Sequence, residues 1–120
     1  MPSSPHILVV GLGYVGLPLA VALARKFDVT GFDVDENRIA ELHSGHDRTR
    51  EIDQAELKSS SLKLTSKAEG RAVDVFIITV PTPVDASNAP DLGAVIAATR
   101  TVASLIDPSR RPTIVYESTV

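Results

Sequence analysis

The chain contains one Gly-x-Gly-x-x-Gly run, Gly11-Leu12-Gly13-Tyr14-Val15-Gly16, and its neighbours give it a chemical meaning. It follows the apolar residues Ile7-Leu8-Val9-Val10 and leads into an apolar, alanine-rich segment, 17–27. Val29-Thr30-Gly31-Phe32 then ends in Asp33, 17 positions past Gly16. Strand, glycine turn, helix, strand, acid is the order that a dinucleotide-binding unit requires. Gly11 permits the tight turn, Gly13 lets the backbone approach a pyrophosphate, and Gly16 lets the helix pack close to the strand. The helix start offers free N–H groups and the positive end of its dipole to phosphates. Asp33 can accept hydrogen bonds from the adenosine ribose hydroxyls. Its charge would repel the 2′-phosphate of NADP, so NAD is the expected cofactor.

Other polar residues belong to the same reading. Arg38, five positions past Asp33, either contacts the adenine or ribose from outside or is a solvated helix residue. It could also tolerate a 2′-phosphate, which keeps NADP as the minority cofactor. In Thr79-Val80-Pro81-Thr82-Pro83, two prolines fix the backbone of a loop leaving a buried strand, which either holds Thr82 rigidly against a nicotinamide ribose or merely stops the strand. Glu117-Ser118-Thr119 sets a carboxylate and two hydroxyls at a further strand end, compatible with orienting a water or the nicotinamide. No metal site is expected: His6, His43 and His46 lack ligand spacing, and the chain has no cysteine. Asp47-Arg48-Thr49-Arg50-Glu51 reads as a solvated charged loop. Residues 85–91 read as a loop and a helix cap.

These groups need a scaffold. At 120 residues and 43% apolar composition the chain makes one domain with a real core, built from Val, Ile, Leu and Ala because aromatics are few. Net charge is −3 with acids and bases interspersed, which speaks against nucleic acid. The sequence shows no signal peptide and no apolar run near a membrane span, so a cytoplasmic domain is expected. Strands are predicted at 6–10, 28–33, 62–65, 73–80 and 113–117, the fourth fully buried. Helix one is predicted at 14–26, with Pro18 early, where a missing N–H costs least, and Val15, Leu19, Ala22 and Leu23 as its apolar stripe. Asp35 is read as the N-cap of helix two, which carries Ile39 and Leu42, and Gly45 as its stop. A short helix is expected around 54–57 and a turn or helical stub at 66–71. Asp91 is read as the cap of a long helix through 106 with Leu92, Val95, Ile96, Val102 and Ile106 at helical spacing. The fold class is therefore α/β: a Rossmann-type parallel sheet with helices on both faces and right-handed crossovers. A complete doubly wound sheet needs at least one more strand, so the sheet is expected to be truncated, with its last strand on an exposed edge. Ligands in such sheets bind beyond the carboxyl ends of the strands, which would gather Gly11 to Gly16, Asp33, Thr82 and Thr119 along one edge.

Taken together, these residues resemble the UDP-glucose/GDP-mannose (UDP-sugar 6-) dehydrogenase family. The resemblance rests on Val10-Gly11-Leu12-Gly13-Tyr14-Val15-Gly16-Leu17-Pro18-Leu19, on Gly31-Phe32-Asp33-Val34-Asp35 with Arg38, and on Val80-Pro81-Thr82-Pro83-Val84-Asp85. Pro90-Asp91-Leu92 and Val115-Tyr116-Glu117-Ser118-Thr119-Val120 complete it. The Val-Pro-Thr-Pro-Val-Asp loop, the chain's last residues and His46-Asp47-Arg48-Thr49-Arg50-Glu51 look most like the branch that acts on UDP-N-acetylhexosamines in capsule and O-antigen synthesis. The resemblance implies a four-electron oxidation of the sugar C6 alcohol to the uronic acid with two NAD⁺. By the same resemblance Gly11, Gly13, Tyr14, Val15 and Gly16 contact the pyrophosphate, and Asp33 and Arg38 hold the adenosine ribose. Thr82 lies near the nicotinamide, and Thr119 helps to position the cofactor and a catalytic water. The family's catalytic cysteine, its long central helix and its UDP-sugar-binding domain find no counterpart in 1–120. The chain is thus expected to be the N-terminal NAD-binding domain of a longer, homo-oligomeric enzyme with a UDP-sugar substrate, inactive alone. UDP-glucose and UDP-N-acetylmannosamine remain alternative substrates, and an NAD-sensing module remains a reading of another class.

Overall fold

The computed structural model describes residues 5–68, 72–82, 84, 86–89 and 91–117. Five strands, β1 (His6–Val10), β2 (Asp28–Phe32), β3 (Lys63–Thr65), β4 (Val75–Ile78) and β5 (Thr113–Tyr116), form one sheet in the order β3-β2-β1-β4-β5. Every neighbouring pair is parallel. Four helices connect them: α1 (Gly16–Ala24), α2 (Glu36–His43), α3 (Gln54–Ser59) and α4 (Gly93–Leu105). The order reverses between β1 and β4, so the connections leave these neighbouring strands on opposite faces and open a crevice at their carboxyl ends.

Alternation along the strands splits the core in two. Ile7 and Val9 of β1, Val29 of β2 and Ile77 of β4 pack under α1, α2 and α3 with Leu17, Ala20, Val21, Ile39, Leu42 and Leu57. Leu8, Val10, Phe32, Phe76 and Ile78 face the opposite layer, where Ala98 and Val102 of α4 meet them. Successive residues of a central parallel strand are thus buried on alternate faces, which is why β1 and β4 read as unbroken apolar runs. Gly31 is required by this packing: a Cβ there would meet Leu12 Cδ2 at 2.9 Å.

Two local expectations are corrected. The buried stripe of α1 is Leu17, Ala20, Val21 and Ala24, whereas Val15 and Ala22 are exposed and Leu19 and Leu23 half-buried. Almost every residue of this helix is apolar, so the sequence offers no polar face to set the phase. The N-cap position of α4 is Leu92, and Asp91 reaches over it to accept from the Gly93 N–H at 2.9 Å. Of the residues set at helical spacing in α4, Leu92 and Ile96 are 44% and 48% exposed, and only Ala98 and Val102 of this helix are buried. Asp35 caps α2 as expected, accepting from the N–H groups of Asn37 and Arg38, and Gly45 follows that helix at φ +87°. β5 lies at the sheet edge with Ile114 and Tyr116 exposed.

Candidate functional site

β1 runs straight into the glycine turn, whose first peptides, from Gly11 to Gly13, are tied to neighbouring elements. The Gly11 N–H donates to the Phe32 carbonyl at 2.8 Å, extending the β1–β2 ladder past its last pair, and Gly11 takes φ +98°. The Thr79 hydroxyl, buried at the end of β4, lies 2.7 Å from the Gly11 carbonyl oxygen and 3.0 Å from that of Val10, sharing its one hydrogen between them. The Leu12 N–H donates to Asp33 Oδ2 at 2.9 Å, and the Leu12 carbonyl accepts from Arg38 Nε at 2.7 Å. Gly16 sits against this arrangement with no room for a side chain: a Cβ would fall 1.8 Å from the Gly11 carbonyl oxygen. Gly13 is the opposite case, with nothing within 4 Å of a Cβ built there. The N–H groups of Gly13, Tyr14 and Val15 have no acceptor among the described residues.

The turn borders a cavity of about 390 Å³ at the carboxyl ends of the strands. Its floor is Gly11 to Val15, with Phe32, Asp33 and Val34 from the end of β2 and Thr79, Val80 and Pro81 from the end of β4. Glu117 closes one side after β5, and α4 contributes Ala94, Ala97, Ala98 and Thr101. A volume of this size suits a small organic ligand. Small residues at 94, 97, 98 and 101 repeat at helical spacing, a signal in the sequence that could have marked this wall of α4 in advance.

The residues expected at the site do not all stand in one place. Gly11, Gly13, Tyr14, Val15 and Asp33 line the cavity, and Gly16 packs behind the turn. Asp33 already accepts from Leu12 and, through Oδ1, from the Asp35 N–H at 2.9 Å. A carboxylate has about four acceptor positions, so about two remain for a ligand. Thr82 lies one residue past the lining, and its hydroxyl oxygen is buried without a hydrogen-bond partner. Thr119 and its neighbour Ser118 lie outside the described residues, as do Pro83 and Asp85.

Arg38 stands behind the turn and outside the cavity lining. It is only 3% exposed, and protein groups surround its guanidinium: Leu12 O, Glu41 Oε2 at 3.0 Å from Nη1, and Asp47 Oδ1 at 3.0 Å from Nη2. The last approach is an ion pair without the alignment of a hydrogen bond. Asp47 corrects the expectation of a solvated loop, because its side chain is fully buried. Its Oδ1 accepts from the Thr49 N–H and hydroxyl, and its Oδ2 from the Glu51 and Ile52 N–H groups. Burial alone would raise the Asp47 carboxyl, but the hydrogen bonds from Thr49 and Ile52 and the Arg38 cation outweigh it and hold the pKa at about 2. Arg48, exposed, bridges Glu41 and Asp35 at 3.3 and 3.6 Å.

A parallel sheet in this order, with a glycine turn at the β1–β4 switch point and an acid ending β2, defines a dinucleotide-binding domain of the Rossmann type. The fit is physical as well as topological: among the described residues there is open space at Gly13, three N–H groups at a helix start have no acceptor, and the Thr82 hydroxyl has no partner. Residues 5–120 match the UDP-glucose/GDP-mannose dehydrogenase family, NAD binding domain, and the chain belongs to that family. It is 48% identical to Protein CapL of Staphylococcus aureus over 116 residues, 96% of this chain and 27% of that protein. It is 46% identical to UDP-N-acetyl-D-glucosamine 6-dehydrogenase of Pseudomonas aeruginosa, over 95% of this chain and 27% of the relative. The crystal structure of GDP-mannose dehydrogenase from Pseudomonas aeruginosa superposes with a TM-score of 0.84 at 31% identity, covering 95% of this chain and 28% of that one. The chain therefore spans about a quarter of the length of these relatives. Among the described residues no helix is long and apolar enough to cross a membrane, and no group of three or more His, Asp or Glu could hold a metal ion.

Proposed function

We propose that this chain forms the NAD-binding wall of an enzyme that oxidises the C6 alcohol of a UDP-N-acetylhexosamine to the uronic acid. The N–H groups of Gly13, Tyr14 and Val15, left without acceptors at the start of α1, carry the cofactor part of this reading. They would bind the pyrophosphate, with the dipole of α1 behind them. Asp33 would hold the adenosine ribose with its remaining lone pairs, while its charge keeps out a 2′-phosphate. Thr82 would offer its unpartnered hydroxyl on the nicotinamide side, and Thr119 is proposed to help position the same end. Bound NAD⁺ supplies the hydride acceptor for the sugar C6. Thr79 and Gly16 hold the turn that presents these groups.

The sugar assignment is supported by the 46% identity to a UDP-N-acetyl-D-glucosamine 6-dehydrogenase. Because the chain aligns with about a quarter of such relatives, oxidation, sugar choice, a homo-oligomeric state and a cytoplasmic site of action are proposed for a protein of the relatives' length. In that protein residues 1–120 serve as the N-terminal NAD-binding domain, and for the chain itself the proposed activity is cofactor binding. Calorimetry of the chain with NAD⁺ and NADP⁺ tests the cofactor part, and tighter binding of NADP⁺ would sink the role given to Asp33. Assay of the longer protein with UDP-N-acetylglucosamine, UDP-N-acetylgalactosamine, UDP-N-acetylmannosamine and UDP-glucose tests the rest. Turnover of UDP-glucose alone would overturn the N-acetylhexosamine assignment.

A further inference from the structure

A trans peptide is planar, with its C=O and N–H pointing in opposite directions, so whatever grips the carbonyl also aims the N–H. In the Gly11–Leu12 peptide, Thr79 grips the carbonyl and Asp33 the N–H. In the Leu12–Gly13 peptide, Arg38 Nε grips the carbonyl at 2.7 Å, and the Gly13 N–H is left pointing away from Arg38 without an acceptor among the described residues. Arginine is a long side chain that holds a position only if its far end is fixed. Here that end lies between Glu41 and Asp47, each 3.0 Å from a terminal guanidinium nitrogen and neither in the cavity lining. Of the two, Asp47 is the better anchored, buried and holding two backbone N–H groups through Oδ2 and the Thr49 N–H and hydroxyl through Oδ1.

We propose that Asp47 is a positioning residue for cofactor binding, fixing Arg38 so that Arg38 turns the Leu12 carbonyl inward and directs the Gly13 N–H at the pyrophosphate. The loop after α2, remote from the cavity lining, thereby sets the shape of the turn. The inference rests on the assignment of the glycine turn to the pyrophosphate, and it separates Asp47 and Arg38 from direct contact with the ribose. Removing the Asp47 charge leaves a buried guanidinium short of one partner, which favours its movement and releases the Leu12 carbonyl.

The test compares Asp47→Asn with the unaltered chain, using calorimetry with NAD⁺ and ADP, NMR titration with adenosine, and the Gly13 amide resonance without ligand. Asp47→Asn should raise the Kd for both NAD⁺ and ADP by about fivefold or more, the scale of one weakened hydrogen bond from the turn to a phosphate. Adenosine, which has the ribose but no phosphate, should change by less than about twofold, and the unliganded Gly13 amide should shift. Arg38→Met combined with Asp47→Asn should bind NAD⁺ no more weakly than Arg38→Met alone, because the aspartate acts through the arginine. If Asp47→Asn does not fold, Thr49→Val removes one hydrogen bond to Asp47 at lower cost and should give the same order of effects, smaller in size. Unchanged NAD⁺ affinity in a folded variant overturns the proposal, and so does an equal loss for adenosine. An unaltered chain that binds adenosine and NAD⁺ but gains nothing from the phosphates of ADP would instead overturn the pyrophosphate assignment beneath it.

Discussion

Replacing Gly16 with alanine should break the turn from behind, whereas the same change at Gly13 should spare the turn and obstruct its ligand. A Cβ on Gly16 would stand 1.8 Å from the Gly11 carbonyl oxygen, 2.3 Å from Thr79 Oγ1 and 2.9 Å from the Gly11 carbonyl carbon. Real Cβ atoms essentially never approach within 3.0 Å. The Thr79 hydroxyl can move only by leaving Val10 and Gly11, and the Gly11 carbonyl belongs to a backbone held by Phe32. The first turn of α1 must therefore retreat by roughly 1 Å, an overpacking cost of about 1–3 kcal/mol. Loss of the Thr79 bond adds about 1 kcal/mol, and the better helix propensity of alanine returns about as much. The net expectation is a loss of about 2 kcal/mol with impaired NAD⁺ binding. At Gly13 nothing lies within 4 Å and φ is not positive, so alanine should leave stability unchanged or raise it by about 0.5 kcal/mol through the unfolded chain. Its methyl group would occupy the approach to the free N–H groups and raise the Kd for NAD⁺ by about tenfold or more. Urea denaturation of each unliganded variant, paired with NAD⁺ calorimetry, separates the two. The reasoning fails if Gly16→Ala lies within about 0.5 kcal/mol of the parent, or if Gly13→Ala loses more stability than affinity.

Asp47, lowered from 3.8 to about 2, contributes stability that is fully present above the higher value and lost as pH falls through the lower one. The shift corresponds to about 2 kcal/mol, so the urea-midpoint gap between the parent and Asp47→Asn should hold at neutral pH and narrow between about pH 4 and pH 2. A gap that persists at pH 2 would refute it. Asp33→Ala should weaken NAD⁺ binding by about tenfold. It should also cost about 1 kcal/mol of stability, because the Leu12 and Asp35 N–H groups lose their acceptor. A binding loss with no stability change would show that the turn does not depend on this carboxylate. Thr82→Val should lower NAD⁺ affinity while leaving the unliganded chain as stable or more so, since it removes a buried hydroxyl without a partner. A destabilised Thr82→Val chain would mean that the hydroxyl serves the fold.

Much of the sheet was legible because its strands are short apolar runs punctuated by glycine, proline and acids. β1 matches its predicted limits, and β2, β3 and β5 fall within a residue of theirs. β4 is shorter than the apolar stretch at 73–80, although the N–H groups of Asp74 and Thr79 still donate to the His6 and Val10 carbonyls just beyond its two ends. The glycine turn was legible from its spacing, and Asp35 from the cap that α2 needs. The Arg38–Asp47 pair was not. Both residues sit in charged surroundings, Arg38 on a half-polar helix and Asp47 in Asp47-Arg48-Thr49-Arg50-Glu51, and charges in series read as solvated. Their burial comes from a contact between a helix and the loop that follows it, which no periodicity encodes. The exposed Leu92 and Ile96 illustrate the converse, since helical spacing identifies a stripe without saying that anything covers it.

The bond from Thr79 to Gly11 spans 68 positions, and that separation has a bearing on how the cradle comes into being. Residues 6–45 already hold the glycine run, α1, β2 and Asp33, so a short N-terminal peptide carries every recognisable letter of the motif. It lacks the hydroxyl that holds the Gly11 carbonyl and the strand that puts it there. During synthesis, the bond from Thr79 can form only after β4 has left the ribosome and paired with β1, so the turn emerges well before the strand that braces it. Non-local pairing of this kind is slow to form, and the motif that announces the site first in the sequence is among the last parts of the site to be completed.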